Sequence, residues 1–466
     1  MNARTRAIPF RMNAAMATRN KTLRMAMSNA AEVFAGKRAH AFSCAPFDKW
    51  RQEASEIRLA VLKDLSNHVD NFALNATRAG AVVYRAKDAN AARSIVGYIL
   101  RDRRVKKIVK SKSMVSEEIH LNGYLEDFGL EVVETDLGEF IIQLAHEHPS
   151  HIIVPAIHKT RKDVGTIFAS RLGIDYCEDP FVLAKIARKM LRDHFLSAQA
   201  GISGANFAVS ESGSVVIFTN EGNGRMVTTL PPVHIVLLTM EKMLPNLSAL
   251  SKLMRLLPRS ATGQTLTSYV SIITGNRKAD ERTGAKEVHI VILDNGRTDI
   301  LQTEFFEILK CIRCGACMNV CPVYRLIGGH AYESTYPGPM GVVLSTLLEG
   351  MASTHSLLDA TTLCGACGDV CPVLVPLPKL LKTLRANRVS TGFTPLTERC
   401  AVKAFGFAVQ SAPLFRLMQN LFRTFLPAAG GIFAPLSRLP QCRDNHLMPV
   451  RRKPYQFVDD FSKGKQ

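Results

Sequence analysis

Between residues 311 and 373 the chain carries one cysteine string twice. The first copy reads Cys311-Ile-Arg-Cys314-Gly-Ala-Cys317-Met-Asn-Val-Cys321-Pro322-Val323. The second, fifty residues on, reads Thr361-Thr-Leu-Cys364-Gly-Ala-Cys367-Gly-Asp-Val-Cys371-Pro372-Val373. Three thiolates at this spacing curl around one corner of an iron–sulfur cubane, while the fourth, followed by proline, points away. In two-cluster ferredoxins that fourth cysteine ligates the other cluster. The spacing therefore predicts that Cys311, Cys314, Cys317 and Cys371 hold one 4Fe–4S cluster and that Cys321, Cys364 and Cys367 hold a second. The second set is one cysteine short, because Thr361 stands where the first copy has Cys311. Three completions stay open: Cys400, a non-cysteine ligand, or a 3Fe–4S cluster. Zinc prefers two separated pairs with long spacers, which fits poorly. Disulfides need an oxidising compartment, to which nothing upstream directs the chain.

Composition narrows the function classes. The 466 residues suffice for two or three domains, and 47% apolar with 21% charged residues is ordinary for a globular protein. A formal net charge of +19 suits an anionic substrate, an acidic protein, nucleic acid or a membrane surface. No nucleic-acid-binding signature accompanies it, which disfavours nucleic acid. The apolar stretch 421–439 is interrupted by Arg423, Pro427, Gly430, Gly431 and Pro435, so no membrane span is expected. The basic N-terminus, with Arg4, Arg6, Arg11 and Arg19, lacks the apolar region of a secretory signal. A cytoplasmic location is expected. The basic run at 451–453 leaves peripheral contact with the inner membrane face open.

Four regions are expected: an N-terminal helical part (1–79), an α/β domain (80–300), the dicluster segment (301–390) and a helical, basic tail (391–466). In the first, Ile57, Val61, Leu65, Val69 and Phe72 form one helical apolar stripe within about 28–80. From about 80, strands at 81–84, 107–109, 130–133 and 151–155 alternate with helices. Among these helices are one from Asp88 to about 103, one at 114–127, and one opened by Asp179-Pro180. Further strands are expected at 206–209, 214–219, 234–240 and 288–293. Such alternation predicts a largely parallel sheet, whose ligands collect at the carboxyl ends of its strands. Loops at those ends supply a candidate anion pocket: Lys110 and Lys112, Glu134 and Asp136, Asn220 and Arg225. No Walker A string and no G-x-G-x-x-G are present. His330, in the Gly-Gly-His loop between the cysteine copies, is a candidate proton carrier or iron ligand. Cys44, Cys177 and Cys442 lack ligand spacing and read as structural.

Several long strings resemble the lactate utilisation protein B family. They are Lys107-Ile-Val-Lys-Ser-Lys-Ser-Met114, Val132-Val-Glu-Thr-Asp-Leu-Gly-Glu139, Gly201-Ile-Ser-Gly-Ala-Asn-Phe207, Thr219-Asn-Glu-Gly-Asn-Gly-Arg225, Asp294-Asn-Gly-Arg297 and the cysteine region. The resemblance covers about 30 to past 410 and extends to the threonine at 361. It implies a LUD domain, similar to the sugar isomerase and CoA-transferase α/β fold, followed by a ferredoxin-type dicluster segment. It also implies a role in oxidising L-lactate to pyruvate beside two companions, one cysteine-rich and one a smaller LUD protein. No catalytic residue is carried over from it. The leading expectation is an electron-transfer subunit, because lactate gives up two electrons and a cubane normally takes one. The alternatives are the iron–sulfur subunit of another dehydrogenase, for a 2-hydroxy acid or glycerol phosphate, and a non-catalytic iron–sulfur sensor or binding module. A pocket in this chain that binds L-lactate itself also stays open.

Overall fold

The computed structural model describes residues 10–428, with side chains to 420. Arg4, Arg6, Cys442 and the basic run at 451–453 lie outside the described residues. The chain divides into two compact units, Met1–Phe393 and Thr394–Gln466. The second contributes the helices Leu396–Val409 and Ala412–Ala428. Among the described residues, no helix is long and apolar enough to cross a membrane.

The strands are β1 (Val82–Ala86), β2 (Lys107–Lys110), β3 (Glu131–Glu134), β4 (Ala200–Gly204), β5 (Phe207–Val209), β6 (Ser214–Thr219), β7 (Val233–Thr239), β8 (Met243–Leu244), β9 (Tyr269–Ile273) and β10 (Glu287–Leu293). Six of them form one all-parallel sheet in the order β1-β10-β7-β4-β2-β3. The other four form a smaller mixed sheet, β8-β5-β6-β9. Alternation along β2 shows how the large sheet is sandwiched. Ile108 packs on one face with Val96, Ile99 and Leu100 of the helix Ala89–Asp102, and Val109 packs on the other with Phe140 and Phe168. Asp88 caps the first of those helices through Ala91 N–H, and Asp179 caps Pro180–Ser197 through Phe181 N–H, both as the sequence predicts.

Three expectations are corrected. The N-terminal stripe is not one helix. It runs over Phe47–Lys63 and Leu65–Arg78, broken at Asp64, and buries Val61, Leu65, Val69 and Phe72 in the core shared with the cysteine segment. The helix expected at 114–127 is split into Met114–Glu118 and Leu121–Glu126, with His120 between them at φ 49°. Residues 151–155 form no strand, because the His151 ring captures the backbone first. Its Nδ1 accepts from Ile153 N–H (2.9 Å) and Val154 N–H (3.1 Å), curling the chain into a turn. Nε2 then donates to Asn319 Oδ1 at 3.2 Å, which ties the turn to the first cysteine copy. Burial holds this imidazole down at about 3, so it stays neutral and can accept and donate at once.

Candidate metal centres and the adjoining cavity

The two cysteine copies fold alike. Each opens with a residue in the left-handed region, Arg313 at φ 58° and Leu363 at φ 56°, followed by Gly315 at 74° and Gly365 at 90°. Each then makes one helical turn, Ala316–Asn319 or Ala366–Asp369. The left-handed steps wrap the backbone so that thiols three residues apart converge. Peptide N–H groups point at the sulfurs: Arg313 N–H donates to Cys311 Sγ at 3.4 Å and Val375 N–H to Cys371 Sγ at 3.3 Å. In the second copy Leu363 N–H donates to Thr361 Oγ1 at 3.0 Å, so the hydroxyl occupies the place of a sulfur.

The thiols gather into two cavities, and each mixes the copies. One is lined by Cys311, Cys314 and Cys317 together with Cys371. The other is lined by Cys321 together with Cys364, Cys367 and Thr361. Burial pushes the Cys367 thiol up to about 12, with Cys321 and Cys364 adding to the effect, and pushes Cys371 up to about 11, with Cys311 adding to it. Burial also raises Cys314 and Cys317, helped by their neighbours in the same cavity. Anionic sulfurs crowded this closely need a polycationic core between them, and the donor set therefore fits iron–sulfur clusters. Cys400 is exposed on the helix Leu396–Val409. Cys44 is exposed rather than packed in a core, and Cys177 is half-buried.

Positive charge surrounds the four-cysteine cavity. Arg38 donates to Val370 O at 3.2 Å and Arg51 to Asp369 O at 2.7 Å, just before Cys371. Arg313 lies over the Tyr336 ring at 5.1 Å and pairs with Glu241 at 3.2 Å. From there a buried chain of charges runs outward. Glu241 also pairs with Arg297 Nε at 2.8 Å, and Arg297 grips Glu118 with two nitrogens at 2.9 and 2.7 Å. Glu118 accepts in addition from Asn295 at 2.8 Å and from Tyr336 O–H at 2.6 Å. Burial alone would raise the Glu241 carboxyl, but Arg297 and Arg313 outweigh it and hold it at about 2. Arg58, fully buried behind them, donates to the carbonyls of Met243 (2.9 Å), Leu309 (3.0 Å), Lys310 (3.2 Å) and Glu241.

This chain of charges ends at a cavity of about 750 Å³, within the usual range for small-molecule sites. Glu117 and Glu118 after β2, Asn295 after β10, and His330, Tyr336 and Glu349 of the dicluster segment line it. It thus lies beyond carboxyl ends of the parallel strands, where such sheets bind ligands.

The loops singled out in the sequence lie elsewhere. Lys110 is buried against Glu134 (2.5 Å) and Glu117 (3.2 Å). Burial would lower this ammonium, but the two carboxylates outweigh it and keep it charged. Lys112 Nζ lies 3.7 Å from Glu139, and burial lowers it. Asp136 caps the helix Leu137–Ala145. Burial, with Asp136 nearby, raises the Glu221 carboxyl to about 7. Lys110 is therefore already balanced by carboxylates, whereas Lys112 Nζ has no hydrogen-bond partner among the described residues. Asn220 turns to a different loop, accepting from Ser268 N–H at 3.1 Å and pairing with Gln264. Arg225 is exposed and has no ion pair among the described residues. Sequence reasoning missed Glu118, Glu241 and Arg297, whose partners are far apart in the chain.

Known protein families match two successive stretches of the chain. The LUD domain family matches residues 69–293 and the 4Fe-4S dicluster domain family residues 307–375. Lactate utilization protein B of Bacillus subtilis (strain 168) is 45% identical over 447 residues, 95% of this chain and 91% of that one. Its namesake in Macrococcus caseolyticus (strain JCSC5402) is 47% identical over 372 residues, 79% of this chain and 78% of that one. A solved DUF162 family protein from Deinococcus radiodurans matches 51% of this chain and 98% of its own at 8% identity, with a TM-score of 0.26. With a LUD domain, an iron–sulfur dicluster domain and relatives matched over nearly their whole length, this chain belongs to the lactate utilization protein B family.

Proposed function

We propose that this chain is the iron–sulfur electron carrier of a multi-protein system that oxidises L-lactate to pyruvate. The observation that carries the reading is the sorting of seven cysteines into two cavities, each built from both copies of the repeat. In the proposal Cys311, Cys314, Cys317 and Cys371 ligate one cluster. Cys321, Cys364 and Cys367 ligate the other, with the place at Thr361 left for Cys400, another ligand or a missing iron. Such clusters, when bound, accept and pass on single electrons. The chain's own residues hold the pair in apolar surroundings, aim peptide N–H groups at the sulfurs and place Arg38, Arg51 and Arg313 beside one of them. Lactate oxidation releases two electrons and two protons, so two adjoining one-electron centres can take the pair in sequence. Companion proteins, one cysteine-rich and one a smaller LUD protein, supply the remaining steps. The relatives' names, which refer to lactate utilization, support this substrate.

The test is turnover under anaerobic conditions with L-lactate and an artificial electron acceptor. The assembled set of companion proteins should reduce the acceptor, and the same set without this chain should not. Undiminished turnover without the chain would contradict the carrier role.

A further inference from the structure

The 750 Å³ cavity has walls of the wrong charge for a carboxylate substrate. Glu117, Glu118, Glu147, Glu333 and Glu349 line it, and no lysine or arginine does so among the described residues. Glu117 and Glu118 are compensated from behind by Lys110 and Arg297. Glu333 and Glu349 have no ion pair among the described residues, and burial raises the Glu349 carboxyl. An anion entering this space needs a cation to enter with it.

One edge of the cavity supplies ligands for such a cation. Glu147 follows the helix Leu137–Ala145, His158 lies just past the segment expected as a strand, and His330 belongs to the Gly-Gly-His loop of the dicluster segment. One ligand atom from each lies within 4.8 Å of the others. The rings of His158 and His330 meet edge to face at 4.4 Å, and His158 Nε2 lies 2.8 Å from Glu147 Oε2. The His158 side chain is only 9% exposed, yet its Nδ1 has no partner among the described residues. His330 is oriented as metal-binding imidazoles usually are, with Nε2 donating to a backbone carbonyl, that of His148, at 2.6 Å. This leaves Nδ1 with its lone pair. The loop beneath is fixed, because Gly329 N–H donates to Ser150 Oγ at 3.1 Å. A Cβ at Gly329 would lie 1.9 Å from Ser150 O, so only glycine lets the two loops approach this closely. Lys159 pairs with Glu147 Oε1 and leaves Oε2 toward the histidines. Two imidazoles and one carboxylate suit a first-row divalent ion and leave coordination positions for a ligand.

We propose that Glu147, His158 and His330 bind a first-row divalent metal ion at the edge of this cavity. Resting on the lactate reading above, we assign the open positions of that ion to a 2-hydroxycarboxylate, held through its carboxylate and hydroxyl oxygens.

The probe is Mn²⁺, whose preference for oxygen and nitrogen donors spares the cluster thiolates, added to anaerobic, cluster-loaded full-length protein and followed by paramagnetic resonance. One Mn²⁺ per chain is expected to bind. Glu147→Gln and His158→Gln should each weaken it about tenfold or more, with the visible absorption of the clusters unchanged as the check on folding. Lys159→Met, which removes the competitor for Glu147, should tighten binding, an effect that a purely structural cluster would not show. No stoichiometric binding, or binding insensitive to all three substitutions, would overturn the metal site. L-lactate should then alter the spectrum of bound Mn²⁺. A spectrum unchanged by lactate, with Mn²⁺ still bound, would overturn the substrate assignment alone and leave the metal site standing.

Discussion

Replacing Glu241 with leucine should destabilise the protein by about 3–5 kcal/mol, the usual cost of removing one partner from a buried ion pair. The carboxylate serves two guanidinium groups, Arg297 at 2.8 Å and Arg313 at 3.2 Å, and is itself 2% exposed. Without it Arg297 keeps Glu118, but Arg313 keeps no carboxylate and faces the cavity thiols, the Tyr336 ring and Met340 Sδ, to which it donates at 3.3 Å. The loss should appear as a lower midpoint of urea unfolding, measured anaerobically. The folded carboxyl sits at about 2, below the free group's 4.5. Its stabilising contribution is therefore complete above pH 4.5 and disappears as the pH falls toward 2, so the gap between wild type and variant should narrow in acid. A variant as stable as wild type at neutral pH would show that the buried chain of charges contributes nothing net.

The second large effect concerns how the two centres differ. Arg313 and Leu363 occupy the same place in the repeat, with nearly equal φ. One puts a guanidinium, its side chain only 12% exposed, beside the four-cysteine cavity, and the other puts a neutral side chain beside the three-cysteine cavity. A nearby positive charge stabilises the reduced, more anionic state of a cluster. At an effective dielectric of about 20, a unit charge about 4–6 Å away is worth about 3–4 kcal/mol. At about 2.3 kcal/mol per 100 mV this is a change on the order of 100 mV. Arg313→Leu should therefore lower the potential of the first cluster by that order. Leu363→Arg should raise that of the second. A redox titration followed by paramagnetic resonance reads both, and potentials unmoved by either exchange would contradict the account. If the asymmetry holds, electrons settle on the four-cysteine side, next to the buried charges that lead to the cavity.

What the sequence revealed and what it concealed have physical reasons. The cysteine segment was legible because its cysteines lie at fixed local spacings and each copy repeats the other. The parallel sheet was legible wherever apolar runs such as Val288 to Leu293 stand between polar turns. β4 escaped because Ala-Gly-Ile-Ser-Gly reads as a loop, yet its glycines are required. A Cβ at Gly201 would lie 2.0 Å from Val227 O of the helix Asn223–Thr229. The strand expected at 151–155 failed because a buried histidine supplied an acceptor that no periodicity reveals. The candidate anion pocket at Lys110 and Lys112 shows the reverse case. Their carboxylate partners, Glu117, Glu134 and Glu139, were visible, but only folding pairs them with the lysines. Glu147 and His158 share the loop between the helices Leu137–Ala145 and Arg161–Leu172, His330 lies far along the chain, and the three carry no spacing signal. Only the Gly-Gly-His string marked one of them.

The measurement that bears most directly on the central claim is cluster loss in single cysteine variants, read by paramagnetic resonance and iron content. Cys371 belongs to the second copy by sequence but to the first cavity by position. Cys371→Ser should therefore abolish the same signal as Cys311→Ser and leave intact the signal that Cys364→Ser removes. Should Cys371→Ser instead remove the signal lost in Cys364→Ser and spare the one that depends on Cys311, the two copies do not exchange ligands, and the arrangement described above is wrong.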